Sequence, residues 1–243
     1  GESWRTRKSV FVEIKARFPT TLRLSFLAIT GQALIGIPLG ILAAVKQYST
    51  TDFIATVFAM TMGSVPGFWL GLMLMLVFGV TLGLLPTAGL ATPAHYILPF
   101  LTMVLPGASG LLKITRSTML DCIRQDYVRT ARAKGAAEKA VILNHALRNA
   151  LLPVVTVVGI NFAYSLGGSV VIENVFSIPG IGNILVSSIN KKDIPQVMAI
   201  VILFSLTFCL VMVLVDIVYA MLDPRVKAKY SDAGKRKVKV KTA

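Results

Sequence analysis

Long apolar runs constrain this 243-residue chain more than any other feature of its sequence. A helix needs about 20 apolar residues to cross the roughly 30 Å hydrocarbon core of a bilayer, and uncharged runs of that length recur along the chain. Only 15% of the residues are charged, whereas 55% are hydrophobic. Isolated strands leave backbone polar groups unsatisfied in lipid, so the runs are expected to be helical. The sequence predicts an all-α, polytopic integral membrane protein.

We predict five transmembrane helices in a single bundle. They cover approximately residues 24–45, 53–80, 96–112, 151–172 and 197–222. Glycine and proline interrupt three of them, in GIPLG at 36–40, SVPGFWLG at 64–71 and LPGASG at 105–110. Proline removes a helical donor and glycine lets backbones approach closely, so we expect kinks there. Bending around a pathway and ordinary helix packing both explain such sites.

The distribution of lysine and arginine predicts the orientation of the bundle. Five spans place Lys46, a polar island at 116–148 and the basic end of the chain on one side, which carries most of the cations. This side is expected to be cytoplasmic, with the C-terminus inside the cell. The N-terminal segment also carries several cations, which a further span ahead of Gly1 would explain.

The polar island divides into two short helices at Gly135. The first is expected at 121–134, with Val128 and Ala131 on one face, and the second carries Leu143 and Leu147 before the chain enters the membrane. Glycine readily closes a helix. A cation-rich amphipathic segment is typical of a helix lying on lipid. The many alanines instead favour close approach to another protein, and a helix, turn and helix fits a groove better than a flat leaflet.

The remaining polar residues suggest no catalytic or metal centre. The net charge of +14 belongs to loops and to a tail with a basic run at 235–241, so membrane lipid, and not nucleic acid, is the expected partner. His95 and His145 fall on opposite sides of the membrane in this topology. No GxxxxGK[ST] phosphate loop is present in the sequence. Asp216, an acid within a span, is expected to form a hydrogen bond to a neighbouring helix or to pair with a cation; a proton or ion relay is the alternative.

Several segments together resemble a known transporter family. They are PTTLRLS at 19–25, IGIPLGILAA at 35–44, VPGFWLGLMLMLVF at 65–78, LGLLPTAG at 82–89, DYVRTARAKG at 126–135, HALRNALLPVVTVVG at 145–159, ENVFSIPGIGNILVSSI at 173–189 and VDIVYAMLDPRV at 215–226. Their order and spacing resemble the inner-membrane permease subunits of binding-protein-dependent ABC importers, in the dipeptide, oligopeptide and nickel branch. The resemblance implies a permease for peptides, or for nickel and its chelates, that forms half of a translocation pathway.

In that family, one loop inserts into a separate cytoplasmic ATPase. The sequence of this loop has the form Glu-Ala-Ala, three residues, Gly, nine residues, then Ile-x-Leu-Pro. Here Arg129, Thr130 and Arg148 replace the Glu, the first Ala and the Pro, a variant similar to the peptide branch. The resemblance assigns ATPase coupling to Arg129, Ala131, Lys134, Gly135, Ala136, Glu138, His145, Leu147 and Asn149. It also implies that ATP and Mg²⁺ are held by partner subunits and that this chain has no cofactor.

The resemblance further implies an outer gate and a platform for an external solute-binding protein at 173–195. Asn174, Pro179, Gly180 and Gly182 would shape this segment, whose apolar part, ILVSSI, is too short to span. A plain surface loop is the alternative. Candidate pathway residues are those whose polar or aromatic side chains interrupt the spans: Phe68, Trp69, Asn161 and Tyr164. Anchoring at the lipid interface is an equal alternative for Trp69.

The expected assembly contains a second, homologous permease, two ABC ATPase subunits and an extracytoplasmic solute-binding protein, in a bacterial or archaeal inner membrane. Residues 1–18 are expected to be an external segment, 19–225 the transmembrane domain, with the coupling loop at about 121–150, and 226–243 a basic cytoplasmic tail. The resemblance implies a parent subunit with six helices, and we expect the first of these helices to be missing here. The competing hypotheses are a self-contained secondary carrier or channel and a membrane scaffold whose basic loop binds lipid.

Overall fold

The computed structural model of the chain describes residues 1–222, apart from the side chains at 168 and 222. The predicted tail at 226–243 lies outside these described residues. From residue 1 to 222 every regular element is helical, and the only extended pairing there is one isolated antiparallel bridge between Glu2 and Ser9. The all-α prediction is therefore confirmed.

The helices follow one another with short connections. They are α1 (Val10–Val45), α2 (Thr50–Ser64), α3 (Gly67–Leu74), α4 (Ile97–Ile123), α5 (Asp126–Ala133), α6 (Glu138–Ala140), α7 (Arg148–Val175), α8 (Ile181–Asn190) and α9 (Ile194–Leu222). A π-helical segment, Met75–Thr81, continues α3, and another, Val141–Leu147, joins α6 to α7. A 3₁₀ turn, Pro93–Tyr96, leads into α4.

The number of membrane spans agrees with the prediction. Four helical segments are long and apolar enough to cross a membrane: Val10–Val45, Pro93–Ile123, Glu138–Gly167 and Ile194–Met221. The pair formed by α2 and α3 with its π-helical extension makes a fifth span if the two are counted as one. Helix α8 is apolar but has only 10 residues. It forms a helical hairpin with α7, and it contains the apolar stretch at 184–189 that was predicted to be too short to span.

Two predicted boundaries differ clearly from the structure. The first span was expected to begin near residue 24, but α1 begins at Val10. The third span was expected to end near residue 112, and a separate helix to begin at 121, but α4 continues to Ile123 and the next helix begins at Asp126. Charged side chains end the uncharged run after Leu112, yet a stripe of buried residues at helical spacing, which includes Thr115 and Met119, carries the helix on. The first charged residue after an apolar run therefore does not mark the end of this helix.

Helices α1 and α4 form the most extensive helix pair among the described residues. Gly36 and Gly40 of α1, four residues apart, lie directly on α4. A Cβ atom at Gly36 would lie 2.6 Å from the carbonyl oxygen of Ala108, and one at Gly40 would lie 2.6 Å from the Cβ of Thr115. Such spacing of small residues allows backbones to approach within a membrane. This pair is the central support of the bundle.

The second span is broken at its centre. Helices α2 and α3 meet at an angle of 98°, with Val65 and Pro66 in extended conformations between them. Proline lacks an amide donor and disfavours a helical conformation in the residue before it. The other predicted kinks do not end a helix, because α1 runs through Pro38 and α4 runs through Pro106. The break at Pro66 therefore shapes the interior of the bundle.

Candidate coupling surface and translocation pathway

The segment between α4 and α7 folds around an apolar core of its own. Ala44 of α1 and Met119 of α4 close this core from the membrane side. The segment contributes Val128, Ala131, Val141, Ile142 and Ala146, all of them buried, and α7 contributes Ala150. Because side chains from α1, α4 and α7 share one core with the segment, a force on the segment reaches the ends of all three helices. The loop that connects α4 to α7, residues 124–147, lies within the predicted coupling loop at about 121–150, and we keep the name coupling loop for these residues.

The turn at the centre of the coupling loop depends on Gly135. Its φ angle is +80°, in the left-handed region that favours glycine. The amide of Gly135 donates to the carbonyl of Arg132 at 2.9 Å, and the amide of Ala136 donates to the carbonyl of Ala131 at 3.3 Å. These two hydrogen bonds form a Schellman motif at the end of α5. The predicted division of the polar island at Gly135 is present.

An ion pair spans this turn. Arg132 donates to Glu138 through Nε at 3.0 Å and through a terminal nitrogen at 2.7 Å, so the pair is bidentate. Both side chains are exposed, and Glu138 lies in the first turn of α6, where a carboxylate is favoured by the helix dipole. Two parallel hydrogen bonds fix the angle between α5 and α6 better than a single contact would.

The predicted coupling residues divide into an exposed set and an internal set. Ala131 is buried in the apolar core, and Leu147 is half-buried against it. The exposed members of the predicted set are Arg129, Lys134, Gly135, Ala136, Glu138, His145 and Asn149. The exposed tip of the loop thus carries cations, one carboxylate and small residues.

The hairpin between α7 and α8 lies at the opposite end of the bundle. Asn174 donates from Nδ2 to the carbonyl of Val170 at 2.7 Å and lies 3.4 Å from that of Gly182. Gly180 and Gly182 are buried, whereas Pro179 is exposed. A Cβ at Gly182 would lie 2.3 Å from the Cα of Val170. The predicted gate residues therefore occupy one close contact between α7 and α8.

The central residue of this hairpin is Glu173, which the sequence did not single out. Its side chain is fully buried. The hydroxyl of Thr21 donates to Glu173 Oε1 at 2.6 Å, and the amide of Asn183 donates to Oε2 at 3.1 Å. The same hydroxyl accepts the amide of Ile181 at 2.9 Å. The sequence does contain a signal for this residue, because Glu173 is an acid that lies between an apolar span and a proline–glycine turn. Glu173 joins α1, α7 and α8.

The N-terminal segment is held at the same end by Asp193, which is also buried. The carboxylate accepts hydrogen bonds from the hydroxyl of Ser3 and, at 3.1 Å, from the amide of Trp4. Arg5 donates from Nε to the carbonyl of Lys191 at 2.7 Å. Burial opposes the charged form of Asp193, but the hydrogen bonds from Ser3, Trp4 and nearby amides outweigh it and hold its pKa below the ordinary value of 3.8.

A cavity of about 260 Å³ opens beside the break in the second span. Gly67, the first residue of α3, lies in its wall. Its other lining residues are Gln32, Thr102, Met103, Pro106, Gly107, Asn161, Tyr164, Ser165 and Ile172. All of them are uncharged, and they come from α1, α4 and α7. The cavity therefore lies between α1, α4 and α7 beside the break, and transporters built from broken helices bind their substrates near such breaks.

Two of the four predicted pathway residues line this cavity. Asn161 and Tyr164 do so, and Tyr164 has 71% of its surface exposed. Phe68 and Trp69 are half-exposed and follow Gly67 along α3, but they do not line the cavity. Asp216 is exposed on α9, and within residues 1–222 its carboxylate has no hydrogen-bond or salt-bridge partner. The expected hydrogen bond to a neighbouring helix is not present there.

A bundle of helices long enough to span, an uncharged cavity beside a broken span and a folded polar loop at one end are features of a membrane transport subunit. The chain belongs to the family described as the binding-protein-dependent transport system inner membrane component, whose model matches residues 36–228. It is a multi-pass inner-membrane permease subunit of an ABC importer, in the peptide and nickel branch.

Named relatives support this assignment over nearly the whole chain. The chain is 44% identical over 229 residues to the glutathione transport system permease protein GsiC of Salmonella choleraesuis (strain SC-B67) and 42% identical to that of Escherichia coli (strain K12). Each match covers 94% of this chain and 75% of the relative.

Solved structures show the same fold. The chain matches an amino acid ABC transporter with a TM-score of 0.70 at 14% identity, covering 87% of this chain and 94% of the other. It matches the MetNI methionine ABC transporter in an inward-facing conformation with a TM-score of 0.70 at 19% identity, covering 87% and 97%. At these identities the likeness concerns the fold alone.

Proposed function

We propose that this chain forms half of the translocation pathway of an ATP-driven importer of peptides, and that the coupling loop docks on a separate ATPase subunit. The observation that carries the proposal is the exposed tip of that loop, which stands on a core shared with α1, α4 and α7. The exposed residues at this tip are Arg129, Lys134, Gly135, Ala136 and the nearby Glu138. His145 and Asn149 extend the surface toward α7.

In this assembly, ATP and Mg²⁺ bind to the ATPase subunits, and this chain hydrolyses nothing. Two ATPases, a second permease and an extracytoplasmic solute-binding protein complete the importer. The loop and the C-terminus face the cytoplasm, as the distribution of cations favours. Ala131 and Leu147 act from within, because they hold the apolar core that gives the tip its shape.

The hairpin formed by α7 and α8 serves as the outer gate and as part of the docking surface for the binding protein. Pro179 is exposed at the turn, whereas Asn174, Gly180 and Gly182 set the separation between the two helices. The N-terminal segment, held by Asp193, lies beside α8 and enlarges this surface.

Peptides are the proposed cargo, with glutathione as the first substrate to test because it is named for the relatives at 42% and 44% identity. Asn161 and Tyr164 offer amide and hydroxyl groups to the cavity, and its lining is uncharged. Such a lining suits the hydrogen-bonding groups of a peptide backbone without holding the peptide by an ion pair. Phe68 and Trp69, next to the cavity on α3, offer aromatic surface as the peptide passes.

The test is uptake into proteoliposomes that contain this chain, its partner permease, the ATPase pair and the binding protein. Labelled glutathione and labelled dipeptides are offered outside, with ATP and Mg²⁺ inside. Uptake of at least one of these peptides that requires hydrolysable ATP is expected. Accumulation by this chain alone, driven by a proton gradient without nucleotide, would instead establish the secondary-carrier hypothesis.

A matched pair of charge reversals tests the docking surface. Lys134→Glu changes the exposed tip of the coupling loop, whereas Lys191→Glu makes the same change on an exposed residue at the opposite end of the bundle. Lys134→Glu is expected to weaken co-purification of the ATPase, and Lys191→Glu to leave it unchanged. Equal effects of the two variants would contradict docking at the loop.

A further inference from the structure

An ion pair between α2 and α4 connects the coupling loop to the broken span. Arg116 donates from Nε to Asp52 Oδ1 at 2.6 Å and from a terminal nitrogen to Oδ2 at 2.8 Å, so the guanidinium and the carboxylate meet in a bidentate pair. Arg116 lies about two turns before the end of α4, where the coupling loop begins. Asp52 lies in the first turn of α2.

The carboxylate is held from several directions. Asp52 is 5% exposed, and its Oδ2 also accepts the amide of Tyr48 at 3.0 Å. The hydroxyl of Ser49, which caps α2, accepts the amide of Asp52 at 3.4 Å. The Asp52 side chain therefore cannot follow Arg116 without moving the first turn of α2 and the loop before it.

Apolar packing alone does not force α2 to move together with α4. Helices α1, α2 and α4 also meet through Ala43, Ala55, Ala59 and Leu112, whose small or smooth side chains permit sliding between helices. A bidentate arginine–carboxylate pair fixes both distance and orientation. The pair thus makes the cytoplasmic end of α2 follow rotation and translation of α4.

The far end of α2 leads to the pathway. Ser64 ends α2, the chain turns through 98°, and Gly67 at the start of α3 lies in the wall of the cavity. A displacement of α2 therefore moves the wall of the cavity directly. In contrast, neither Arg116 nor Asp52 lines the cavity.

We propose that Asp52 and Arg116 are positioning residues that transmit movement of the coupling loop to the broken span, and so couple ATP hydrolysis to opening of the cavity. This inference rests on the proposed function. Loss of the pair leaves the coupling loop, the ATPase contact and the cavity in place, but movement of the loop no longer reaches the cavity. ATP is then consumed without a matching movement of substrate.

The experiment measures substrate molecules transported per ATP hydrolysed in the complete reconstituted importer. The variant is the double substitution Asp52→Asn with Arg116→Gln, which removes the bidentate pair without leaving one charge buried and unpaired. Arg23→Gln is the matched control, because Arg23 is an exposed arginine on α1 that lies outside the coupling loop and does not line the cavity.

We expect the ratio to fall about fivefold or more in the double variant, as for a typical coupling energy between two sites, while Arg23→Gln keeps the unmodified ratio. Arg116→Lys, which keeps the charge but not the fork geometry, falls between them. An unchanged ratio in the double variant overturns the proposal, even if both uptake and hydrolysis decline, because that result indicates a stability effect alone. Absence of ATP-dependent uptake by the unmodified importer overturns the proposed function instead.

Discussion

Replacing Glu173 by glutamine tests how the outer hairpin is held. The carboxylate accepts the hydroxyl of Thr21 at one oxygen and the amide of Asn183 at the other. Glutamine has nearly the same shape but only one oxygen, so one of these buried groups loses its acceptor. A buried polar group left without a partner costs about 1–3 kcal/mol. Glu173→Gln is expected to lower the free energy of unfolding by about that amount.

Thr21→Val is expected to cost more than Glu173→Gln. The threonine hydroxyl donates to Glu173 and accepts the amide of Ile181, so valine leaves two buried groups without partners. Because the two side chains share a hydrogen bond, the effects of Glu173→Gln and Thr21→Val are expected not to add, with an interaction energy of about 0.5–3 kcal/mol.

The assay is reversible unfolding of the purified permease in mixed detergent micelles, with Asn183→Ala as the control. Asn183 contributes its backbone amide to Glu173, and alanine keeps that amide. The control is expected to change stability less than Glu173→Gln does. Wild-type stability for Glu173→Gln, or purely additive effects with Thr21→Val, would refute the account of a shared hydrogen-bond network.

Three further predictions concern single positions. Gly135→Ala places a Cβ where nothing lies within 4 Å, so the substitution costs energy only through the left-handed φ, about 1–2 kcal/mol. The affinity for the ATPase, measured by co-purification, should therefore fall about fivefold or more. Gly135→Asn should lose less affinity. Gly182→Ala should destabilise the protein by about 1–3 kcal/mol, because its Cβ overlaps the backbone of α7, whereas Gly110→Ala, with open space around it, should leave the thermal midpoint unchanged or higher. The lowered pKa of Asp193 means that its stabilising effect is present above its unfolded pKa and is lost as pH falls through its lower folded pKa; proteolysis of the N-terminal segment should stay constant from pH 8 to about pH 5 and rise with Asp193→Asn.

Much of the fold was predictable because hydrocarbon thickness sets a simple length rule. The five uncharged runs correspond to four long helices and one broken pair. The boundary of α4 was not predictable from the same rule, since a helix leaves the membrane without ending when its buried stripe continues past Leu112. Likewise, Pro38 and Pro106 lie inside unbroken helices whereas Pro66 ends one, because neighbouring helices decide whether a missing donor is tolerated.

The candidate sites divide in a similar way. Local signals located the Gly135 turn and the buried face formed by Val128 and Ala131, because helix closure and amphipathic spacing depend on neighbouring residues. The partners of Glu173 and Asp52 could not be predicted, since each contact joins residues far apart in the chain. Spacing along a sequence holds no information on which of several helices a polar side chain will face.

The most direct test of the central claim follows a single cysteine at residue 136, in a chain whose Cys122 and Cys209 are replaced by alanine. Ala136 is exposed at the tip of the coupling loop. Maleimide labelling in inside-out vesicles is measured with and without the ATPase subunits, and a cysteine at Asn190, exposed at the opposite end, serves as the control. The account predicts rapid labelling at residue 136 that the ATPase blocks, and none at residue 190. Labelling at 190 but not at 136, or no protection by the ATPase, would contradict it.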